Sequence, residues 1–146
     1  MKILVLNGPN LNMLGIRETN IYGQQSYQDL EKLIKEYCQK KHIEVTIKQS
    51  NHEGTLVDYI QEAYFQKYTG IVINPAAYTH TSVALLDAVK AIAPLPVVEV
   101  HLSDINQRDA FRKHSFLQTV AVKQIVGKGF VGYLEAIDYL VSRSNV

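Results

Sequence analysis

Cysteine, tryptophan and long apolar runs are scarce or missing in this chain of 146 residues, which has 1 cysteine and no tryptophan. Cys38 has no second cysteine to pair with, so an internal disulfide is excluded, and no cysteine–histidine cluster has the spacing of a zinc site. The apolar run near the start is too short for a signal peptide or a membrane span. The net charge of +1 argues against binding nucleic acid by bulk charge and gives no reason to expect a membrane partner. We therefore expect a soluble, cytoplasmic protein.

The chain has the size and composition of one compact domain. Its length lies within the ~100–200 residues of a typical domain, and 47% of its residues are hydrophobic, which is enough for a sizeable core. No internal repeat, low-complexity tract or linker interrupts it. We expect residues 1–146 to form a single domain.

Strand-like and helix-like patterns alternate along the sequence. Short apolar or alternating runs predict strands at residues 3–6, 43–48, 71–73, 97–102 and 120–122. Helical spacing predicts a helix capped by Ser26 and containing Cys38 on its buried face, a helix over 56–68 stopped by Gly70, and helices over 83–92 and 130–141. This alternation is typical of a doubly wound α/β fold, and we expect a flavodoxin-like sheet of five parallel strands in the order 2-1-3-4-5. The polar face of strand 43–48 fits a sheet edge.

Polar residues follow the predicted strands more densely than loops require. Ligands of such sheets bind beyond the carboxyl ends of the strands, so these residues are the first candidates for a site. Asn7, Asn10, Asn74 and His80 follow predicted strands, and Glu99, His101 and Ser103 stand at the end of the fourth. We expect a small polar ligand to bind there.

Glu99 and His101 lie two residues apart on a predicted central strand, so their side chains point to the same face, roughly 6.5–7 Å apart along the strand. A carboxylate beside an imidazole fixes its tautomer and raises its pKa, which suits a general acid. The alternative is a satisfied polar pair beneath a helix. A carboxylate and an imidazole near the end of a buried central strand are costly without partners, and on this ground we favour the functional pair.

A long segment of about 19 residues separates the first strand from its helix, compared with ~2–6 residues in most such connections. Long loops of this kind are often lids over active sites, and Gly15 and Gly23 stand where hinges are expected. Arg17 and Tyr22 lie between them. A guanidinium group beside a tyrosine favours the phenolate, so the pair has the composition of a base and its activator. By residue type alone, however, a solvated loop with one aromatic anchor is the favoured interpretation.

Three further positions are ambiguous by residue type alone. His80 stands before a helix that Thr or Ser can cap, and such a histidine is as often structural as functional. Asp87 on that helix is either solvated or the partner of a residue in another subunit. Arg112 belongs to a basic cluster that forms a solvated surface or meets an anionic substrate. His52 and Glu53 lack the spacing of metal ligands, so we expect no metal.

Two other classes that share this fold are poorly supported. A flavin-binding domain needs a hydroxyl- and glycine-rich phosphate loop after the first strand, where this chain has NGPNLN, and no G-x-G-x-x-G motif occurs. A phospho-receiver needs an aspartate after the third strand, where Asn74 stands. An enzyme that acts on a small polar acid without a cofactor remains.

Six motifs then identify a family. They are NGPNLNMLGIRE at 7–18, YG at 22–23, QSNHEGTLVD at 49–58, INPAAYTHTSVALLDA at 73–88, VEVHLSD at 98–104 and FRKHS at 111–115. In order and spacing, over the whole chain, they resemble the type II 3-dehydroquinate dehydratases. The resemblance implies dehydration of 3-dehydroquinate to 3-dehydroshikimate by anti elimination through an enolate, without a cofactor or a Schiff-base lysine. It also implies a cytoplasmic homo-oligomer, a dodecamer built as four trimers.

The resemblance assigns a role to each matching residue. Tyr22 is the base that removes the proton beside the ketone, and Arg17 keeps it as phenolate. His101, oriented by Glu99, is the acid that protonates the departing hydroxyl, and Asn10 places the water or oxyanion. The substrate-binding set is Asn74, His80, Arg112, the backbone of Leu102 and Ser103, and Asp87, which reaches the site of a neighbouring subunit. The same reaction in quinate catabolism and a non-catalytic ligand-binding module of this fold remain alternatives to the biosynthetic enzyme.

Overall fold

The computed structural model describes residues 1–16 and 24–145. Strands and helices alternate in it as β1 (Lys2–Asn7), α1 (Tyr27–Lys40), β2 (Glu44–Gln49), α2 (Glu53–Phe65), β3 (Gly70–Asn74), α3 (Val83–Ala91), β4 (Val97–His101), β5 (Lys123–Val126) and α4 (Val131–Ser144). Short 3-10 helices lie at Leu11–Met13, Ala76–His80, Ile105–Gln107, Ala110–Arg112 and Leu117–Thr119. No helix within the described residues is long and apolar enough to cross a membrane.

The strands form a five-stranded parallel sheet in the order β2-β1-β3-β4-β5, which confirms the flavodoxin-like arrangement and places β2 at an edge. The register aligns the last residues of the inner strands, with Asn7 opposite both Gln49 and Asn74. The carboxyl ends of β1, β3 and β4 therefore meet along one rim of the sheet, where a ligand site is expected.

The fifth strand was predicted at residues 120–122, and this was wrong. The strand is Lys123–Val126, and the apolar run before it closes a turn, because the backbone N–H groups of Val120 and Ala121 both donate to the carbonyl of Leu117. The side chains of Val120 and Val122 still pack against the core, which explains their apolar character. Apolar composition indicated burial correctly but not the backbone conformation.

The second helix also differs from its predicted bounds. It begins at Glu53 and ends at Phe65, three residues earlier at each end than the apolar spacing indicated. It ends because Lys67 adopts a left-handed backbone with φ of 60° and the N–H of Tyr68 returns to the carbonyl of Ala63. Gly70, predicted to stop the helix, is instead the first residue of β3.

The two faces of the sheet bury separate apolar cores. Alternate side chains of the strands, such as Val5 and Val72, face α1 and α4, where they meet residues that include the fully buried Cys38. The intervening side chains, such as Leu6 and Ile73, face α2 and α3. Because side chains alternate along a strand, this two-sided packing fixes which face of the sheet each polar residue at the rim occupies.

Serine side chains begin two of the helices. Ser26 forms a complete capping box with Asp29 at the start of α1, as its spacing predicted. Ser82 begins α3 by accepting the N–H of Leu85 at 2.9 Å. These caps satisfy N–H groups that a helix leaves unpaired, and they fix where each helix leaves the rim of the sheet.

Candidate active site

A pocket of about 120 Å³ opens at the rim, where β1, β3 and β4 end. Seven of the residues proposed from the sequence line it, namely Asn10, Asn74, His80, His101, Leu102, Ser103 and Arg112. They come from segments far apart in the chain, and the parallel sheet brings them together. A pocket therefore lies at the strand ends, where the sequence led us to expect a ligand site.

Glu99 and His101 point to the same face of β4, as their spacing predicted. The imidazole Nε2 of His101 is hydrogen-bonded to Glu99 Oε2. Both residues are buried, since Glu99 is 0% exposed and His101 is 5% exposed. An ionised carboxylate accepts hydrogen bonds only, so Nε2 carries a proton. The ring is thereby held in one orientation at the pocket wall.

The Glu99 carboxylate has two more donors. Ser115 Oγ donates to Oε2 at 2.7 Å, and Gln124 Nε2 donates to the same atom at 3.2 Å. Burial by itself raises the pKa of Glu99, but the hydrogen bond and charge of His101, together with these two donors, lower it by more. The pKa of Glu99 consequently lies below its ordinary value, and the group is a carboxylate near neutral pH.

Asn10 stands at the mouth of the pocket in a left-handed backbone conformation with φ of 70°. Its N–H donates to the side-chain oxygen of Asn51 at 3.0 Å, and Gln49 Nε2 donates to that same oxygen at 3.1 Å. Gln49 also donates to the carbonyl of Gly8 at 3.1 Å. The end of β2 thus holds the turn that presents Asn10.

His80 is held in one tautomer by the backbone. Its Nδ1 donates to the carbonyl of His114 at 2.7 Å, which leaves Nε2 as an acceptor. Burial lowers the pKa of His80, and the cationic side chains around the pocket lower it further, which outweighs the opposite effect of that carbonyl. A neutral imidazole near pH 7 can accept a hydrogen bond from a hydroxyl group in the pocket.

Arg112 supplies positive charge to the pocket from the 3-10 helix Ala110–Arg112. Its side chain is 30% exposed, and its Nε lies 3.6 Å from the carboxylate of Asp109. Within the described chain, Nε has no hydrogen-bond partner. The guanidinium group is therefore suited to meet an anion such as a carboxylate.

Among the described residues, two of the proposed site residues do not line this pocket, namely Glu99, which contacts the lining residue His101, and Asp87. Arg17 and Tyr22 lie outside the described residues. Asp87 is exposed on α3 and is not among the residues that line the pocket of its own chain. The described residues also contain no group of three His, Cys, Asp or Glu side chains placed to hold a metal ion.

Ser115, Gln124 and Asn51 contact proposed site residues and were not singled out by sequence reasoning. Ser115 and Asn51 stand inside the motifs FRKHS and QSNHEG, so their signal was present but carried no chemistry by itself. Gln124 lies just after the predicted strand 120–122. It reaches Glu99 because β4 pairs with β5, which places the two residues opposite each other. Contacts of this kind arise from the fold and not from local spacing.

Comparison with known proteins finds relatives over nearly the whole chain. The family model described as "Dehydroquinase class II" matches residues 1–141. A 3-dehydroquinate dehydratase of Fusobacterium nucleatum subsp. nucleatum is 54% identical over 147 residues, which cover 99% of each protein. The crystal structure of the type II dehydroquinase from Butyrivibrio crossotus DSM 2876 matches with a TM-score of 0.95 and 56% identity, covering 96% of this chain and 97% of that one.

A more distant relative has the same fold. The crystal structure of the type II dehydroquinase from Propionibacterium acnes matches with a TM-score of 0.91 at 38% identity, covering 97% of this chain and 96% of that one. Both the sequence and the backbone are therefore shared over nearly the full length. The chain belongs to the class II dehydroquinase family.

Proposed function

We propose that this protein catalyses the dehydration of 3-dehydroquinate to 3-dehydroshikimate, a step of the shikimate pathway of aromatic amino acid biosynthesis. The observation that carries the proposal is the buried Glu99–His101 pair at the wall of a pocket that also contains Asn74, His80 and Arg112. This set combines an acid, a cation for a carboxylate and polar groups for hydroxyls, in a chain of the class II dehydroquinase family.

His101 is the proposed general acid. Its Nε2 faces Glu99, so the proton for the leaving group resides on Nδ1 of the imidazolium form. The hydrogen bond to Glu99 fixes the orientation of the ring, so Nδ1 is the nitrogen that can donate to the departing hydroxyl. Glu99 is the positioning residue for this acid, because it acts through His101.

Tyr22 is the proposed base and Arg17 its activator, as the motifs GIRE and YG imply. A phenolate is basic enough to remove a proton that a neighbouring ketone acidifies, and a guanidinium group at its side stabilises the phenolate. Exclusion of water would strengthen this pairing because it lowers the local dielectric constant. These two roles rest on the motifs alone.

The remaining roles concern the enolate and the substrate's polar groups. Asn10 places the water or the oxyanion of the enolate, and Arg112 binds the carboxylate. Asn74, His80 and the backbone of Leu102 and Ser103 bind hydroxyl and carboxylate oxygens. The acceptor Nε2 of His80 supports its contact with a hydroxyl.

The proposed elimination balances without a redox partner. Tyr22 takes a proton from the carbon beside the ketone, and the electrons of that C–H bond form the enolate. The enolate then collapses to a conjugated double bond, the C–O bond breaks with its electron pair, and His101 protonates the leaving hydroxyl to water. Because no electron leaves the substrate, the reaction requires no redox cofactor. Because the enolate oxygen carries the negative charge, this route forms no covalent imine.

We also propose the assembly and location of the protein. Residues 1–146 form one catalytic domain, and the chains assemble as a dodecamer, a tetramer of trimers, in the cytoplasm. Asp87 supports the assembly, because it is exposed on α3 outside the pocket of its own chain and is free to reach the site of a neighbour. No nucleic acid or membrane partner is part of the proposal.

The experiment that tests the activity is a turnover assay with 3-dehydroquinate and chelator-treated protein, followed by the near-ultraviolet absorbance of the enone product. We expect turnover by the parent and a loss of about 100-fold or more in His101→Asn, since general acid catalysis contributes roughly 10²–10⁴-fold. His42→Asn is the matched control, because His42 is exposed beyond the far end of α1 and has a φ of 58° that asparagine accepts. Failure of the parent to convert substrate overturns the proposal.

The mechanism has a separate chemical test. Borohydride reduces an imine between substrate and lysine to a stable amine, so an enzyme that uses a Schiff base is inactivated when both reagents are present. We expect this protein to keep its activity and its unmodified mass under those conditions. A covalent adduct at a lysine would contradict the enolate route while leaving the overall reaction intact.

A further inference from the structure

Two asparagines end adjacent strands beneath the pocket and are buried there. Asn7 ends β1 and Asn74 ends β3, and the sheet register places them side by side. With 0% and 3% of their surfaces exposed, both have little access to water. They share the face of the sheet that packs on α1 and α4, opposite the face that carries Glu99 and His101. A buried carboxamide without partners costs about 1–3 kcal/mol, so each needs a hydrogen-bonding group from those helices.

Tyr133, in the first turn of α4, supplies that group to both asparagines. Its hydroxyl donates to Asn7 Oδ1 at 2.6 Å and accepts from Asn74 Nδ2 at 3.0 Å. The side chain is itself fully buried, with 0% of its surface exposed. We call Asn7, Tyr133 and Asn74 the strand-end bridge.

The direction of each hydrogen bond in the strand-end bridge is determined by the backbone. The N–H of Ala76 donates to the side chain of Asn74 at 3.1 Å, so the atom that receives it is the carboxamide oxygen. The nitrogen of Asn74 must then face Tyr133, whose single phenolic hydrogen is left for Asn7. Burial raises the pKa of Tyr133 well above its usual value, so the hydroxyl stays protonated.

From this geometry we infer that Tyr133 is a positioning residue for the proposed reaction, because its hydroxyl holds the Asn74 carboxamide in the orientation that faces the substrate. The inference rests on the proposed function, in which Asn74 binds substrate. With Oδ1 held by Ala76 and Nδ2 held by Tyr133, the plane of the carboxamide is fixed at both ends. One amide hydrogen and one oxygen lone pair remain to meet a ligand at the pocket wall.

Neither Tyr133 nor its other partner Asn7 lines the pocket, whereas Asn74 does, so the contribution of Tyr133 reaches substrate through Asn74. Loss of the hydroxyl would release the Asn74 nitrogen while leaving its oxygen held by Ala76, and the carboxamide could then rotate. A binding group without a fixed orientation binds the substrate less tightly in the ground state and in the transition state alike. Its loss of orientation therefore raises KM more than it lowers kcat. A merely structural tyrosine would instead lower stability and leave KM unchanged.

The test compares Tyr133→Phe with Asn74→Ala and with the double variant in the full-length protein. Tyr133→Phe should raise KM for 3-dehydroquinate about tenfold and lower kcat less than about threefold, as expected for one binding group. In the Asn74→Ala background the same substitution should change KM by less than about twofold, because the group through which it acts is gone. Tyr139→Phe is the matched control. Tyr139 lies further along α4, and its hydroxyl donates to the carbonyl of Val122, outside the strand-end bridge.

Equal effects of Tyr133→Phe in both backgrounds would overturn the inference, as would an unchanged KM with a lowered unfolding midpoint. A crystal structure of Tyr133→Phe gives a readout that does not depend on activity, and we expect the Asn74 carboxamide to be rotated or split between two orientations. An unmoved Asn74 also overturns the inference. If the parent protein itself lacks turnover, the proposed function fails and the crystal structure alone decides whether Tyr133 orients Asn74.

Discussion

Glu99 concentrates its hydrogen bonds on one atom. The donors His101, Ser115 and Gln124 all meet Oε2, whereas Oε1 is buried without a partner among the described residues. The negative charge is thereby drawn to the oxygen that contacts the imidazole. His101 contributes most to keeping this carboxyl ionised, and the hydrogen bond from Ser115 contributes after it.

Ser115→Ala should shift the acid limb of the pH–activity profile upward. The donor favours the charged form, so its loss raises the pKa of Glu99 and the carboxylate becomes protonated at a higher pH. The folded-state pKa of Glu99 is lowered, so its stabilising contribution is present above the unfolded-state pKa and is lost as pH falls through the folded value. The measurement is kcat/KM from pH 4 to 9, together with unfolding midpoints.

Ser115→Thr is the control for this prediction, because it keeps the hydroxyl that donates to Glu99 at 2.7 Å. Its acid limb should coincide with that of the parent. Identical profiles for the alanine variant and the parent would show that Ser115 has no influence on the protonation of Glu99.

Cys38 should be inert in the folded protein. It is fully buried in the core between α1 and the sheet, which confirms the prediction from its helical spacing, and burial raises the pKa of the thiol to about 11. At pH 8 the reactive thiolate is therefore nearly absent. A chromogenic disulfide reagent should modify the native protein negligibly and the guanidinium-unfolded protein stoichiometrically. Rapid modification without loss of structure would contradict this placement.

Strands and helices were predicted most accurately from the sequence where a pattern is compatible with a single backbone conformation. Alternation along residues 43–48 identified the edge strand β2, and Ser26 with Asp29 identified the start of α1. The run at 120–122 misled because burial and strand conformation are separate properties, and its backbone closes a turn while its side chains pack. The end of α2 was missed because a left-handed Lys67 has no sequence signature.

At Gly8 the loop that follows β1 contacts the loop that follows β3. Its N–H donates to the carbonyl of Asn74 at 2.8 Å, and a methyl group added there would lie 2.5 Å from the carbonyl oxygen of Pro75. Since both contacts are with backbone, Gly8→Ala must separate the loops after β1 and β3. We expect a loss of about 1–3 kcal/mol in the free energy of unfolding and a lower kcat/KM, measured by urea denaturation at one fixed protein concentration and by turnover.

Gly54→Ala provides the matched control. Gly54 lies in the first turn of α2, and an added methyl group meets no atom within 4 Å. The substitution should leave kcat/KM unchanged and raise stability by up to about 1 kcal/mol, because alanine loses less conformational entropy in a helix than glycine. If Gly8→Ala and Gly54→Ala unfold at the same urea concentration, the contact at Gly8 does not constrain the rim.

At the scale of the whole molecule, the pocket joins side chains from both faces of the sheet. Glu99 and His101 lie on the α2–α3 side, and Asn74 lies on the α1–α4 side. Strand periodicity was enough to predict the pairing of Glu99 with His101, and a pocket lies at the strand ends where a ligand site was expected. Ser115 and Tyr133 were beyond that reasoning, because their contacts join segments separated by 16 and 59 residues.

The proposed assembly predicts complementation between two inactive variants. Asp87→Ala should lose turnover although Asp87 lies outside its own chain's pocket, whereas the exposed Glu36→Ala should not. The Asp87→Ala and His101→Asn chains are then co-expressed in equal amounts. In the proposed trimer, each interface joins different surfaces of two chains, so a site is intact when its pocket has His101 and the neighbouring chain has Asp87. Random assembly should give this combination, and hence about a quarter of parental activity. Light scattering should give twelve times the 16.5 kDa chain mass.

No restored activity, or the mass of a single chain, would contradict the shared site. Recovery requires that the two defects reside in different chains of one assembly, so it cannot arise from a mixture of separate homo-oligomers. Mixing the two purified variants without co-expression is the control, since intact assemblies should exchange chains slowly.

The left-handed backbone of Asn10 has a consequence for how its substitutions are interpreted. Its φ of 70° is accessible to glycine, asparagine and aspartate but costly for alanine, so a truncation at this position changes the path of the chain as well as the chemistry. Glycine removes the side chain and keeps the turn, while aspartate keeps the turn and replaces a donor with a charge. The informative comparison at this position is therefore glycine against aspartate, and an alanine scan across the rim would assign to one side chain a defect that belongs to the backbone.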